Sequence, residues 1–181
     1  MLEYAAVLLL IVTVVAFSWA SFAHFDVRAP SFGTQFLSFA TPAGTIANFA
    51  VWRRLQESPT LEAILMAMAL GLISALIFWA AQRSAPSRHL GRAFSDHTPD
   101  ALVDNGLYAY VRNPLYTSYL IYWLAWVPLT GGHWVAMLLF VLMLATYIVA
   151  AFSEERQLSA RLGQVYQAYA ARTKRFIPWV V

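Results

Sequence analysis

The stretch from Asn113 to Ser153 reads NPLYTSYLIYWLAWVPLTGGHWVAMLLFVLMLATYIVAAFS, 41 residues without one formal charge. One helical crossing of a bilayer core takes about 20 apolar residues, so the run is long enough for two. Pro128 and then Gly131-Gly132-His133 interrupt it near the middle, and that punctuation reads as a tight turn. The stretch is therefore a membrane hairpin, with arms over roughly Leu115–Thr130 and Trp134–Phe152. Trp123, Trp126 and Trp134 lie near the turn, where they suit an interfacial aromatic belt or, equally, lipid-facing bulk.

Toward the N-terminus, Tyr4 to Ala23 is an uncharged run of 20 residues. Glu3 precedes it, where a secretory signal would carry positive charge, so it reads as a retained span. Ser31 to Trp52 is also uncharged but holds Gly33, Pro42, Gly44 and Asn48; it spans, or is kinked or re-entrant. Ala63 to Ala81 is a clean third span. The expected fold is an all-α integral membrane protein of about five transmembrane helices, with a C-terminal helical hairpin and a cytoplasmic amphipathic tail helix. It forms a single membrane domain over residues 1–181, with N-terminal spans in 1–81 and a polar loop, hairpin and tail in 82–181.

Composition agrees. Hydrophobic residues make up 60% and charged residues 12%, against about 45–50% and about 25% in soluble domains. Cysteine is absent, which excludes disulfides, thiolate nucleophiles, iron–sulfur clusters and cysteine zinc sites. His24, His89, His97 and His133 are scattered without an HExxH pattern, so no metal is expected. The net charge of +3 is too small an excess to point to nucleic acid. There is no phosphate-cradling glycine loop, no GxGxxG and no GxSxG, so any enzyme here must build its site on a helical membrane scaffold.

The basic residues set the orientation. Gln82–Arg112 and the tail from Ser153 together hold 9 of the 12 Lys and Arg residues. The hairpin between them crosses twice, so both lie on one side, and the positive-inside rule makes that side the cytoplasm. Five spans place 10 basic residues inside against Arg53 and Arg54 outside, whereas four spans give 9 against 3. In the tail, Leu158, Leu162, Val165 and Tyr169 recur at helical spacing, with Gly163 within the pattern. Such a helix lies on the membrane surface or packs under the hairpin.

Candidate chemistry gathers at that same face. Glu154-Glu155 follows the last span directly, and adjacent carboxylates at a membrane surface are costly if desolvated. Arg112-Asn113-Pro114 opens the hairpin. Alone it would be a snorkelling arginine before a proline at the first helical turn. Gly106, Tyr108, Tyr110 and Tyr116 surround it, and aromatic faces hold cationic groups. Arginine, carboxylates and tyrosines could thus share one cytoplasmic pocket.

These residues form an ordered set: Leu102-Val103-x-x-Gly106-x-Tyr108-x-x-x-Arg112-Asn113-Pro114-x-Tyr116, the hairpin, Glu154-Glu155-x-x-Leu158-x-x-x-x-Gly163-x-x-Tyr166-x-x-Tyr169, and Arg175-Phe176-x-Pro178. The set resembles the isoprenylcysteine carboxyl methyltransferase family with its bacterial and phospholipid-methylating relatives, over roughly Asp100 to Pro178. The resemblance implies S-adenosylmethionine as cofactor. It implies that Asp100, Ala101, Leu102, Val103, Tyr108, Asn113, Pro114, Leu115 and Tyr116 contact the cofactor, with Glu154 as its acidic ligand and Glu155 beside it. Arg112 and Glu154 are the implied catalytic candidates. Two departures stand out. The family commonly has histidine where Asn113 stands, and asparagine does not titrate near neutrality. The prenylcysteine enzymes keep a substrate-binding arginine where this chain has Ala150.

The resemblance therefore implies a methyltransferase of the inner membrane of a bacterium, its active site facing the cytoplasm. Membrane lipids surround it, and the acceptor is a lipophilic or small amphiphilic oxygen, nitrogen or sulfur nucleophile without a required carboxylate. A nicotinamide-dependent membrane reductase of the sterol reductase type is the rival enzyme, and a non-catalytic membrane scaffold the rival outside enzymology.

Overall fold

The computed structural model describes residues 1–24, 32–55, 57–84 and 102–177. Five long helices dominate: α1 (Leu2–His24), α2 (Phe32–Arg53), α3 (Leu61–Ser84), α4 (Pro114–Leu129) and α5 (Trp134–Leu162). A 3-10 turn at Gly106–Ala109 precedes α4, and a short α6 (Gln164–Arg172) follows α5. Among the described residues the sole β feature is a parallel bridge between Val111 and Lys174. The protein is an all-α membrane protein. By length and apolarity α1, α3 and α5 qualify as membrane spans.

The helices are apolar on both sides, as a lipid solvent allows. Leu8, Val12, Trp19, Leu72, Leu76, Leu138, Val141 and Val149 point outward. The interior is where the aromatic and polar groups collect. Phe17 touches the rings of Phe78, Tyr119 and Tyr122. Ser74 Oγ donates to the Ser118 carbonyl at 2.7 Å, joining α3 to α4, the most extensively packed pair in the bundle. Thr45 of α2 and the Tyr122 hydroxyl of α4 share a hydrogen bond of 2.8 Å. An unpaired polar group in this setting has no water to turn to, so these bonds also fix which helices are neighbours. Gly44 allows α2 to approach α4 closely; a Cβ there would stand 2.7 Å from the Trp123 ring. A cavity of about 360 Å³, lined by residues that include Val14, Ser18, Trp19, Pro42 and Ile46, opens between α1 and α2.

Several expectations take definite form. The hairpin turns at Gly131-Gly132, as its punctuation requires. The weak stretch 31–52 yields one continuous helix through Pro42 rather than a re-entrant loop. Trp123 and Trp126 are neither belt nor lipid-facing; both are fully buried in the core, while Trp134 is exposed. The tail is not one helix. The last span runs on through Glu154 and Glu155 to Leu162, and Gly163, at φ 52°, breaks it before α6. That left-handed conformation is one glycine adopts without penalty. The break resets the helical phase, so Val165 is exposed and Tyr166 takes its place on the inward face beside Tyr169.

Candidate functional site

One end of the bundle gathers the last turn of α3, the 3-10 turn, the start of α4, the charged end of α5, and residues 173–177. Backbone pairing draws the last of these in. Arg112 N–H donates to the Lys174 carbonyl at 2.7 Å, Asn113 N–H to that of Arg175 at 3.1 Å, and Lys174 N–H to that of Tyr110 at 3.2 Å. Thr117 Oγ1 adds a bond to the Phe176 carbonyl at 2.9 Å. Pro114 occupies the first turn of α4, where its missing N–H costs nothing. Asn113 precedes it but makes no side-chain cap. Its Nδ2 goes instead to the Arg175 carbonyl at 3.2 Å and to Glu155 Oε1 at 3.4 Å.

The two adjacent carboxylates have different surroundings. Successive helical residues project about 100° apart, so one faces the tail and the other faces α4. Glu155 is the centre of an ion cluster. Arg175 binds it through two parallel hydrogen bonds of 2.8 Å each, and Arg112 Nε donates to it at 3.2 Å. Arg112 Nη1 is also engaged, donating to the carbonyls of Ala170 and Thr173. The Arg175 guanidinium further lies over the Phe152 ring, 4.2 Å from its centroid. Glu154 is outside this cluster. It accepts the hydrogen bond of the Tyr116 hydroxyl, and the Tyr116 ring stacks on Tyr147 at 5.4 Å. Tyr147 and Tyr119 continue the aromatic layer toward Phe17.

Across from the carboxylates, the 3-10 turn seats against the end of α3. Gly106 makes this fit possible: it has φ +55°, and a Cβ there would stand 2.0 Å from Ser84 Oγ. Tyr108 packs with Ala81, Val103, Leu107 and Leu115. Its carbonyl accepts the Tyr169 hydroxyl at 2.8 Å, tying α6 to the same turn. Burial pushes the Tyr169 phenol up to about 12 and holds those of Tyr108 and Tyr166 above their ordinary range, so all three are neutral donors at physiological pH. Among the described residues, the hydroxyls of Tyr108 and Tyr166 and the amide nitrogen of Gln82 are buried without a hydrogen-bond partner.

The structure thus brings Arg112, Asn113 and Glu155 into one cluster, Tyr116 and Glu154 into a second, and Val103, Tyr108 and Leu115 into a third. Pro114 is buried at the head of α4, and Leu102 is half-buried at the start of the described loop. Asp100 and Ala101 lie outside the described residues. Arg175 as a partner of Glu155, and Gln82, are the additions. Arg175 was present in the ordered motif without a role, and Gln82 had the signal of a polar residue at i+4 from Phe78. Among the described residues no group of His, Asp and Glu could hold a metal ion.

The chain is similar in sequence to several known membrane methyltransferases. Methanethiol S-methyltransferase of a Pseudomonas species is 40% identical over 73 residues, 40% of this chain and 26% of its own length. The methanethiol S-methyltransferase of Mycobacterium tuberculosis is 30% identical over 139 residues, 76% of this chain and 51% of its own. The protein-S-isoprenylcysteine O-methyltransferase of Schizosaccharomyces pombe is 32% identical over 108 residues, 54% of this chain and 44% of its own. The chain spans about half or less of the length of these curated relatives. Residues 60–165, which run from α3 through the hairpin to the carboxylate pair and the start of α6, match the phospholipid methyltransferase family, and the chain is a membrane-embedded member of that family.

Proposed function

We propose that this protein is an S-adenosylmethionine-dependent methyltransferase that works at the cytoplasmic end of its helical bundle on a lipophilic or small amphiphilic acceptor. The observation that carries the reading is the division of labour between the paired carboxylates. Glu155 is consumed by Arg112 and Arg175, whereas Glu154 faces the tyrosine layer with Tyr116 as its described partner. When bound, the cofactor supplies a methyl group already activated on a sulfonium. Its positive charge, ammonium and ribose hydroxyls suit a carboxylate and aromatic faces. The buried, unpartnered hydroxyls of Tyr108 and Tyr166 fit a site that a polar ligand completes.

In this reading Glu154, Tyr116, Tyr108, Leu102, Val103, Asn113, Pro114 and Leu115 hold the cofactor, together with Asp100 and Ala101, which lie outside the described residues. Arg112 is a positioning residue that acts through Glu155 and the tail carbonyls. The tyrosine layer and the packed helices keep water from the reacting atoms, and much of the rate comes from alignment of acceptor and methyl group. The acceptor needs no carboxylate. Ala150 is fully buried in the apolar core, and an unpaired anion entering beside it would be expensive. A thiol meets this condition, and the matched relatives include enzymes named for S-methylation of methanethiol. The cavity between α1 and α2 offers an apolar approach from the bilayer.

Titration of detergent-purified protein with S-adenosylhomocysteine tests the reading. Glu154→Gln keeps size and removes charge. A hydrogen bond to a charged group contributes roughly 1.5–3 kcal/mol, so affinity should fall about ten- to a hundred-fold with the melting temperature retained. Equal binding by parent and variant would reduce Glu154 to a charge at a helix end. Incubation with labelled cofactor and a panel of thiols, amines, phenols and a prenylcysteine then identifies the acceptor. Methyl-ester formation on the prenylcysteine alone would overturn the thiol assignment.

A further inference from the structure

Gln82 ends a stripe of α3 that points into the bundle. Ser74, Phe78 and Ala81 are buried on it. Ser74 bonds to the Ser118 carbonyl of α4, and Phe78 meets the rings of Phe17 and Tyr119. Four residues after Phe78, and so one turn further on the same face, comes an amide. Its nitrogen is buried and has no partner. Water or a neighbouring acceptor normally satisfies such a group, and a buried exception calls for an explanation. The same helix end holds a second exception. Tyr108 packs against Ala81, the residue next to Gln82, and its hydroxyl is also buried without a partner. That hydroxyl lies within electrostatic reach of Glu154 and Tyr119, which places it on the site side of the turn.

Two unsatisfied polar groups beside an apolar cluster of Val103, Leu107 and Leu115 have a common solution in one kind of ligand: a flat, largely apolar ring with hydrogen-bonding atoms at its edge. The charged groups of the site cannot serve that end, because Arg112, Glu155 and Arg175 are paired with one another. We propose that Gln82 and Tyr108 form the adenosine-binding end of the cofactor pocket, with Gln82 Nε2 donating to a ring nitrogen or ribose oxygen. This rests on the cofactor reading above and adds to it a residue of α3, an element from which none of the other proposed cofactor contacts comes.

The test is calorimetric binding to purified parent, Gln82→Met and Tyr108→Phe proteins. Two ligands are used: S-adenosylhomocysteine, and 5′-methylthioadenosine, which keeps the adenosine and lacks the amino-acid part. The parent should bind both. Gln82→Met should weaken both by a similar factor, about three- to tenfold for a neutral hydrogen bond. Its ligand-free melting temperature should stay level or rise, because an apolar isostere removes an unsatisfied donor. A purely structural glutamine would show the reverse, a lower melting temperature with affinity retained, and that result overturns the proposal. If the parent binds neither ligand, the cofactor reading falls and this inference with it. If the parent binds and Gln82→Met binds both ligands equally well, this inference alone falls. A loss confined to S-adenosylhomocysteine would refute the adenosine placement. Should Gln82→Met fail to fold, Tyr108→Phe decides in its place: weaker binding of both ligands upholds the proposal and unchanged binding overturns it.

Discussion

A one-residue step along α5 changes what a carboxylate does. Glu155 accepts from two arginines and an asparagine, and its side chain is 14% exposed. Removing its charge leaves Arg112 and Arg175 partly buried and without their anion, which is more harmful than never having built the cluster. Glu155→Gln should therefore destabilise the purified protein by about 1.5–3 kcal/mol, the scale of a hydrogen bond to a charged group. Thermal melts and limited proteolysis of the tail would show it; a variant that melts with the parent would mean the cluster contributes nothing. Glu154→Gln should behave in the opposite way, losing ligand rather than stability. The sequence could place both carboxylates at a helix end but could not divide them. Adjacent residues share a neighbourhood on paper, and only the positions of α4 and the tail decide which faces which. Asn113 is similar. Its amide is spent on tying down Arg175 and Glu155, which its place in the sequence does not show.

At the scale of elements, the spans were legible because lipid imposes a length and forbids charge. The hairpin, α1 and α3 follow from counting uncharged residues. The direction of each face was not legible, since in a bilayer the outside is as apolar as the inside. Trp123 and Trp126 look like belt residues for that reason, although they are the largest side chains fully buried in the core. The tail was misphased by one glycine. Gly163 joins α5 to α6 in a left-handed conformation, with nothing within 4 Å of where a Cβ would stand. Gly106 is also left-handed, but a Cβ added there would collide with the Ser84 side chain. Alanine at Gly163 should cost roughly 1–2 kcal/mol for conformation alone. Alanine at Gly106 carries that cost and a displacement of the turn from α3, so its melting temperature should fall further and its affinity for S-adenosylhomocysteine should fall as well. Equal losses at the two positions would show that the Gly106–Ser84 approach is not a constraint.

At the scale of the whole molecule, the ion cluster and the proposed site share one end of the helical bundle. Residues 82–112 and the tail hold 9 of 12 basic residues, and residues 110–113 pair with 174–175 at this end. Reporter fusions inserted at Asp96 and placed after Val181 should report the same, cytoplasmic side; opposite sides would be incompatible with the pairing of residues 110–113 and 174–175. That pairing also has a consequence for the order in which the protein is made. Its two partners lie on either side of the hairpin, so a ribosome delivers the helices first and the seam last. While the hairpin is entering the bilayer, Arg112 has neither Glu155 nor the carbonyls of Ala170 and Thr173 to bind. This end of the bundle is closed only when residues 173–177 fold back onto it, and until then a newly inserted chain has walls without a floor.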